Sequence, residues 1–259
     1  MADYPNKPPY QEIALEARKK VLEMIYKAGT SHIGSNLSCI DLLAVLFPNL
    51  QEHDRFIASK GWCAASVYYF LAQKGIIPLS DLDTYCADDS PYIGLLEHGI
   101  KGVEANTGAM GHGLPIGVGM AIGAKRSGSN WKTYILMSDG EMQCGTTWES
   151  AAIASHHKLN NLTIILDYNK LQATGRTNEV LNIEPLTLRW AAFGWDFITI
   201  NGHSYKEIEC ALQVQTNKPL IIIAHTVKGK GVPFMENQLL WHYKNIDAPT
   251  YLKALEILT

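Results

Sequence analysis

The sequence lacks an excess of charge of either sign and a cysteine-pair motif. Its 259 residues include 22 Lys and Arg against 25 Asp and Glu, so the formal net charge is −3. A chain so evenly charged offers no basic surface for nucleic acid or for an anionic membrane. Charged residues make up only 18%, below the roughly 25% of ordinary soluble domains. This shortage indicates that part of the surface is buried against another chain.

The cysteines are odd in number and none belongs to a CxxC pair: Cys39, Cys63, Cys86, Cys144 and Cys210. Free thiols are typical of the reducing cytosol. The longest charge-free stretch, 105–124, contains six glycines together with Asn106, Thr107, His112 and Pro115. This composition favours a loop that leads into a helix rather than a membrane span. We therefore expect a cytoplasmic protein without a membrane segment or secretory signal.

Apolar segments of strand length alternate with segments of helical periodicity along the chain. The predicted helices are 10–28, 40–47, 64–73, 147–157, 186–193 and 205–215, and the predicted strands are 55–58, 132–137, 162–166, 195–200 and 220–224. Ser38 is the expected N-cap of the second helix, which should stop at Pro48. Continuous apolar strands joined by helices predict an α/β fold, a parallel sheet covered by helices on both faces. No repeat or linker divides the sequence, so one domain over 1–259 is expected.

Polar residues follow several predicted strands directly, namely Asp139, Asn169 and His225. Ligands of parallel sheets bind beyond the carboxyl ends of the strands. Asp139 and Asn169 are one β-α-β crossover apart, so both side chains can reach one point above the sheet. A carboxylate and an amide oxygen suit Mg²⁺, which takes further ligands from phosphates. A helix-capping Asp and a turn Asn explain the same residues, and both interpretations stay open at this point.

The glycine-rich segment 108–117 does not match the dinucleotide fingerprint GxGxxG. No apolar strand precedes it, and the last glycine comes one position late. The segment fits a loop of exposed backbone amides that approaches an anionic or planar cofactor. A helix entry with glycines for close packing explains it equally well.

Several motifs resemble those of transketolase and occur in that family's order. SDG at 138–140 and DYN at 167–169 resemble the thiamine-diphosphate motif that begins GDG and ends in Asn. TGAMGHG at 107–113, WESAA at 148–152, TVKGKGV at 226–232, FMEN at 234–237 and WH at 241–242 continue the match. The resemblance covers the N-terminal, diphosphate-binding domain from about Ala14 to Leu258. It implies the smaller subunit of a split transketolase, without the pyrimidine-binding and C-terminal domains.

The resemblance implies thiamine diphosphate and Mg²⁺ as cofactors, with Ca²⁺ or Mn²⁺ able to replace the metal. The implied metal ligands are Asp139, Asn169 and the Leu171 carbonyl. The implied cofactor-binding residues are Gly108, Met110, Asp139, Gly140, Asn169 and His242. These assignments follow from the family's motifs and not from spacing alone.

Three histidines match catalytic positions of the family. His32 matches a histidine near the reacting carbon, and His242 one that contacts the diphosphate and the donor. His98 matches a further donor-binding histidine, before a loop that is shorter than the family's. The remaining histidines at 53, 156 and 203 are interpreted as ordinary surface or core residues.

Three positions depart from the family's pattern. Trp62 stands where SKGH carries a donor-binding histidine, so the donor is expected to differ from the usual one. Ser138 replaces the first glycine of GDG, and Cys144 replaces a glutamate of the acidic network that links paired active sites. Losing that glutamate puts the coupling between the sites in question.

The resemblance implies ketol transfer: a two-carbon unit passes from a ketose, such as a sugar phosphate, to an aldose acceptor. The activating glutamate belongs to the missing pyrimidine-binding domain, so we expect an α₂β₂ assembly with a subunit that holds that domain and the C-terminal domain. The apolar helices 64–73 and 116–124 are expected to supply interfaces. The alternatives are a subunit related to 1-deoxy-xylulose-phosphate synthase or to 2-oxo acid dehydrogenases, and a non-catalytic cofactor-binding remnant.

Overall fold

A five-stranded sheet organises the computed structural model, which describes residues 9–259. Its strands are β1 Arg55–Ala58, β2 Thr133–Ser138, β3 Leu162–Tyr168, β4 Asp196–Asn201 and β5 Leu220–His225. They run in the order β1-β2-β3-β5-β4, and every neighbouring pair is parallel. The parallel sheet expected from the sequence is confirmed. Its central strands carry continuous apolar residues because helices cover them on both faces.

The helices are α1 Tyr10–Ala28, α2 Ile33–Asn49, α3 Ala64–Gln73, α4 Gly113–Arg126, α5 Gly145–His156, α6 Thr177–Val180, α7 Leu186–Ala192, α8 Tyr205–Leu212 and α9 Ala248–Ile257. Alternate strand residues enter two separate cores. Leu136 and Ile165 pack on the side of α1, α2, α3, α8 and α9. Ile135 and Ile164 pack against α4, α5 and α7. Within residues 9–259, no helix has both the length and the apolar character to cross a membrane.

The second helix differs most from its prediction. It begins at Ile33 rather than at residue 40, and it continues through Pro48 to Asn49. Ser38 lies inside this helix, five residues after its first residue, so it is not the N-cap. Every residue from Ile33 to Phe47 is buried. A helix surrounded by protein has no amphipathic pattern from which its start could be found.

The expected interface role of the helix over 64–73 is wrong. Every residue of α3 except Gln73 is buried within this chain, so intramolecular packing explains its apolar composition. The interface role of the helix over 116–124, which lies within α4, stays a prediction. Ile116 is exposed, and a Cβ added at Gly119 or Gly123 would meet no atom within 4 Å. This face of α4 is open to a second chain.

Candidate functional site

A cavity of about 390 Å³ opens at the carboxyl ends of β2 and β3. The residues predicted from the sequence that line it are His32, Gly108, Met110, Asp139, Gly140, Asn169, Leu171 and His242. Trp62, Gln172 and Tyr243 also contribute to its wall. The cavity therefore brings together all but one of the expected site residues, from segments that lie far apart along the chain.

Asp139 and Asn169 follow two strands that pair in register, with Ser138 opposite Asp167. The Asp139 carboxylate is 2% exposed and accepts the Lys170 amide, while Asn169 Oδ1 accepts the Leu171 amide at 3.1 Å. Burial, reinforced by the nearby Asp167 carboxylate, raises the pKa of Asp139 to about 7. A bound cation would reverse that shift. The environment of this carboxylate therefore favours a metal ion.

Lys228 places a buried ammonium beside the carbonyl of Leu171. Its Nζ donates to the Leu171 carbonyl at 3.3 Å and to His242 Nδ1 at 2.6 Å. No carboxylate within residues 9–259 pairs with this side chain, which is 1% exposed. Burial, assisted by the Lys60 charge, lowers the pKa of Lys228 to about 8. A buried cation without an anionic partner is costly, so the position suits a bound anion.

His32 and His242 meet at the cavity wall. The His32 amide donates to the His242 carbonyl at 2.9 Å, and the ring centroids are 5.1 Å apart. Burial and the Lys228 charge lower the pKa of His32 to about 4 and that of His242 to about 3. Both imidazoles are therefore neutral at neutral pH. Because His242 Nδ1 accepts from the Lys228 ammonium, His242 carries its proton on Nε2.

His98 is not part of this arrangement. The His98 backbone N–H donates a hydrogen bond to Asn106 Oδ1, and the Thr107 backbone N–H donates one to the Leu96 carbonyl at 3.0 Å. These bonds close a loop that leaves His98 exposed and outside the cavity wall. The shorter loop after His98 is the sequence feature that corresponds to this displacement.

Glu141 connects the glycine-rich loop to the end of β2. This fully buried carboxylate accepts the Ser138 amide at 2.8 Å, the Gly111 amide at 3.1 Å and the Ser59 hydroxyl. The Ser138 hydroxyl also donates to it at 3.2 Å, so serine is accommodated where the family has glycine. Gly111 has φ 79° and lies against Cys144, where a Cβ would approach the Cys144 Cβ to 2.7 Å. Only glycine fits there.

A buried ion pair supports the floor of the cavity. Lys60 Nζ donates to the Asp167 carboxylate and to the Ser35 carbonyl at 2.9 Å, and Asp167 also accepts the Ser38 and Thr226 hydroxyls. Burial opposes the charge on Lys60, but the Asp167 carboxylate outweighs it and raises the pKa of Lys60. Both side chains are fully satisfied by these contacts. The network fixes the end of β3 next to Asn169.

Replacing Asp167 with asparagine is expected to lower the free energy of unfolding by about 3–5 kcal/mol, because Lys60 then stays buried without a counter-charge. Urea unfolding measures this loss. Asp83→Asn is the matched control, since Asp83 pairs with Lys20 at 2.7 Å on the surface, and such pairs contribute about 0–1 kcal/mol. Equal small losses in the two variants would contradict the assignment.

The sequence analysis assigned no role to Lys228, Lys60, Glu141 or Gln172. Lys228 lies in the TVKGKGV motif and Lys60 in the SKG motif. The motifs can be recognised in the sequence, but the burial of the two lysines cannot. Gln172 Nε2 is buried and has no hydrogen-bond partner within residues 9–259. A donor left unsatisfied at a cavity wall is a second indication that an anionic group binds here.

Comparison with known proteins adds independent evidence. Residues 10–250 match the family model described as "Transketolase, thiamine diphosphate binding domain". The chain is 40% identical over 251 residues to one of the named subunits of the apulose-4-phosphate transketolase of Phocaeicola vulgatus, covering 92% of this chain and 89% of the relative. It is 36% identical over 242 residues to the 6-deoxy-6-sulfo-D-fructose transketolase subunit SqwG of a Clostridium species, covering 87% of each chain.

Comparison with solved structures also identifies transketolase as similar. The transketolase structure from Campylobacter jejuni superposes with a TM-score of 0.92 at 30% identity, covering 98% of this chain and 43% of that one. The chain thus spans less than half of this solved transketolase and nearly all of the separate subunits named above. The motif resemblance drawn from the sequence is confirmed, and this chain belongs to the transketolase family, to its thiamine diphosphate binding domain.

Proposed function

We propose that this chain is the thiamine-diphosphate-binding subunit of a transketolase built from two kinds of subunit. It would transfer a two-carbon ketol unit from a ketose or ketose phosphate to an aldose acceptor. The observation that carries the proposal is the cavity that joins oxygen ligands for a cation, a buried ammonium without a counter-ion, and two neutral histidines. The division of the relatives from Phocaeicola vulgatus and Clostridium into named subunits supports the split arrangement.

The residues present fit the expected cofactors. Asp139, Asn169 and the Leu171 carbonyl would hold Mg²⁺, or Ca²⁺ or Mn²⁺ in its place, and the Lys228 ammonium and Gln172 Nε2 would contact the diphosphate. The backbone of Gly108, Met110 and Gly140 would line the cofactor. When bound, thiamine diphosphate supplies the nucleophilic carbon that attacks the donor's carbonyl.

The two histidines would donate protons to the donor sugar and accept protons from it. The Nε2–H of His242 is available to donate to an oxygen of the donor, because its Nδ1 is engaged by Lys228. His32 lies beside it, with its Nδ1 2.9 Å from the Ser31 hydroxyl. Neutral imidazoles can both accept and donate a proton, as general acid–base catalysis requires.

Exposed apolar and aromatic side chains surround the mouth of the cavity. Leu95 and Met110 line it and are 41% and 47% exposed, and Tyr243 beside them is 62% exposed. We propose that a partner with the pyrimidine-binding and C-terminal domains covers this rim, and that α4 mediates self-association, giving α₂β₂. The chain itself would form a single domain over 1–259. Its five free thiols support a cytoplasmic location.

The proposal is tested by co-expressing the chain with candidate partner chains and supplying thiamine diphosphate and Mg²⁺. The donors to assay include xylulose 5-phosphate, apulose 4-phosphate and 6-deoxy-6-sulfofructose, and the readout is the shortened carbonyl product, an aldose or, for the branched apulose donor, a ketone. Ketol transfer by the purified complex is the expected result. A complex that binds the cofactor and turns over none of these donors would contradict the transferase assignment.

Trp62 is expected to change donor preference. The indole lines the cavity where the family's histidine would contact the donor, and its backbone carbonyl is fixed by Asn36 Nδ2 at 3.2 Å. An indole offers bulk and one N–H donor but no acceptor. We expect low activity on xylulose 5-phosphate, increased by about tenfold or more in Trp62→His, because one restored hydrogen bond of about 1.5 kcal/mol corresponds to roughly a factor of ten.

The measurement for this prediction is kcat/KM for each donor in the wild-type and Trp62→His complexes. The matched control is Trp131→His, which changes a partly exposed indole that does not line the cavity. Xylulose 5-phosphate as the best donor of the wild-type complex would show that Trp62 does not set donor preference.

A further inference from the structure

A polar cluster lies behind the cavity, on the side of α1, α2 and β4. At its centre is Asp41, which is 2% exposed and accepts from Arg18 Nη2 at 2.6 Å, from His203 Nδ1 at 2.7 Å and from the Tyr205 hydroxyl at 2.9 Å. Burial opposes ionisation, but the hydrogen bonds from His203 and Arg18 lower the pKa of Asp41 to about 2. The carboxylate is therefore charged and acts only as an acceptor.

This charge determines the tautomer of His203. Because Asp41 can only accept, His203 Nδ1 carries the proton. His203 Nε2 is then a free acceptor, and it receives the Val227 backbone N–H at 2.8 Å. The interpretation of His203 as an ordinary surface or core residue therefore misses a directed contact to the residue immediately before Lys228.

The same cluster holds the loop over 226–231 at two points. Arg18 Nε donates to the Lys230 carbonyl at 3.0 Å, two residues beyond Lys228. On the opposite side, the Gly229 amide donates to the Gly34 carbonyl at 2.9 Å. A Cβ at Gly34 would lie 3.1 Å from Lys228 Cγ, so the lysine stem passes closely over this glycine. The loop backbone thus leaves Lys228 little freedom except to extend toward the cavity.

We propose that His203, oriented by Asp41 and Arg18, is a positioning residue for Lys228. Its Nε2 fixes the Val227 amide so that the next side chain brings its ammonium to the Leu171 carbonyl and His242. The inference rests on the proposed function, because the ligand served by Lys228 is the diphosphate of the cofactor. His203 itself lies outside the cavity wall and does not contact the reacting atoms.

Two variants of the full chain separate this role from simple packing. His203→Asn keeps a donor toward Asp41 but loses the acceptor for Val227, whereas His203→Gln can place an oxygen near the position of Nε2. His53→Asn is the control, because it makes the same change at an exposed histidine. The measurements are calorimetric affinity for Mg²⁺–thiamine diphosphate and Mg²⁺–pyrophosphate, amide exchange of 226–231, and melting temperature.

His203→Asn is expected to weaken both ligands by about tenfold, as loss of a residue that orients a ligand contact typically does, and to speed exchange at Val227. His203→Gln should retain most of the affinity. In the background of Lys228→Met, His203→Asn should cause no further loss, because its effect passes through Lys228. Equal losses in the Asn and Gln variants, or additive losses in the Lys228→Met background, would overturn the proposal.

The two proposals fail differently. If the wild-type chain, alone and with its partner, binds neither ligand, the proposed function fails. The amide exchange of 226–231 still decides the positioning role in that case, since it needs no ligand. Exchange in His203→Asn that matches the wild type would overturn the inference, and faster exchange restored by His203→Gln would support it.

Discussion

The variant Asp139→Ala is expected to lose Mg²⁺-dependent binding of thiamine diphosphate by at least about 100-fold, beyond the 10–100-fold typical for residues that only support a metal ligand. Asp139 would be the only charged protein ligand, since Asn169 and Leu171 contribute neutral oxygens. Asp139→Asn, which keeps the shape and an acceptor for the Lys170 amide, should recover only a small part of the affinity. Calorimetric titration of the complex in the presence and absence of Mg²⁺ gives the comparison.

The control for this prediction is Asp88→Ala, which removes an exposed carboxylate elsewhere on the surface. Circular dichroism and melting temperature should be nearly unchanged in Asp139→Ala, because a buried carboxylate without a cation contributes little to stability. Cofactor affinity equal to the wild type in a folded Asp139→Ala complex would show that the metal lies elsewhere.

The second large effect is expected for the isolated chain, which should show less than about 1% of the transferase activity of the complex, a margin within what one missing acid–base group contributes. Its cavity supplies metal ligands, an ammonium and two histidines, but the glutamate that activates the cofactor belongs to a domain that the family places outside this segment. The open rim at Leu95, Met110 and Tyr243 is a further reason, because an exposed cavity does not exclude water.

Sedimentation and turnover assays test this prediction with the chain alone, the partner alone and the mixture. A mixture that contains the Asp139→Ala chain serves as the control, since it should assemble and remain inactive. Substantial ketol transfer by the purified chain without any partner would contradict the proposal of a split enzyme.

The strands, and the edge of the sheet at which Asp139 and Asn169 meet, were predicted well from the sequence because both depend on local patterns. The predicted apolar runs end at Met137 and Leu166, and parallel strands bring such ends together whatever the details of the helices. The start of α2 could not be found in this way. Gly34, Ser35 and Asn36 are polar or small, yet all are buried by contacts that only the folded chain provides.

The surroundings of two residues could not be predicted from the sequence, for a related reason. His98 belongs to a motif, but loop closure between Leu96 and Thr107 decides where its side chain lies. Lys228 precedes Gly229 and Gly231, in a sequence typical of an exposed loop, and only the approach of Gly34 and His203 to that loop shows that Lys228 is buried. Residue type and spacing can be read from the sequence. The burial of a loop side chain such as that of Lys228 depends on packing against residues that are distant along the chain.

The backbone hydrogen bond from His32 to His242 also has a consequence for biosynthesis. It joins the beginning of α2 to the segment before α9, so it connects residues near opposite ends of the described chain. All five strands are synthesised before residue 242, whereas this contact cannot form until His242 itself has left the ribosome. Contacts of such high sequence separation carry the largest loop-closure cost and form late. The cofactor pocket should therefore mature after the sheet, and a polypeptide that terminates before His242 would hold the scaffold without a competent site.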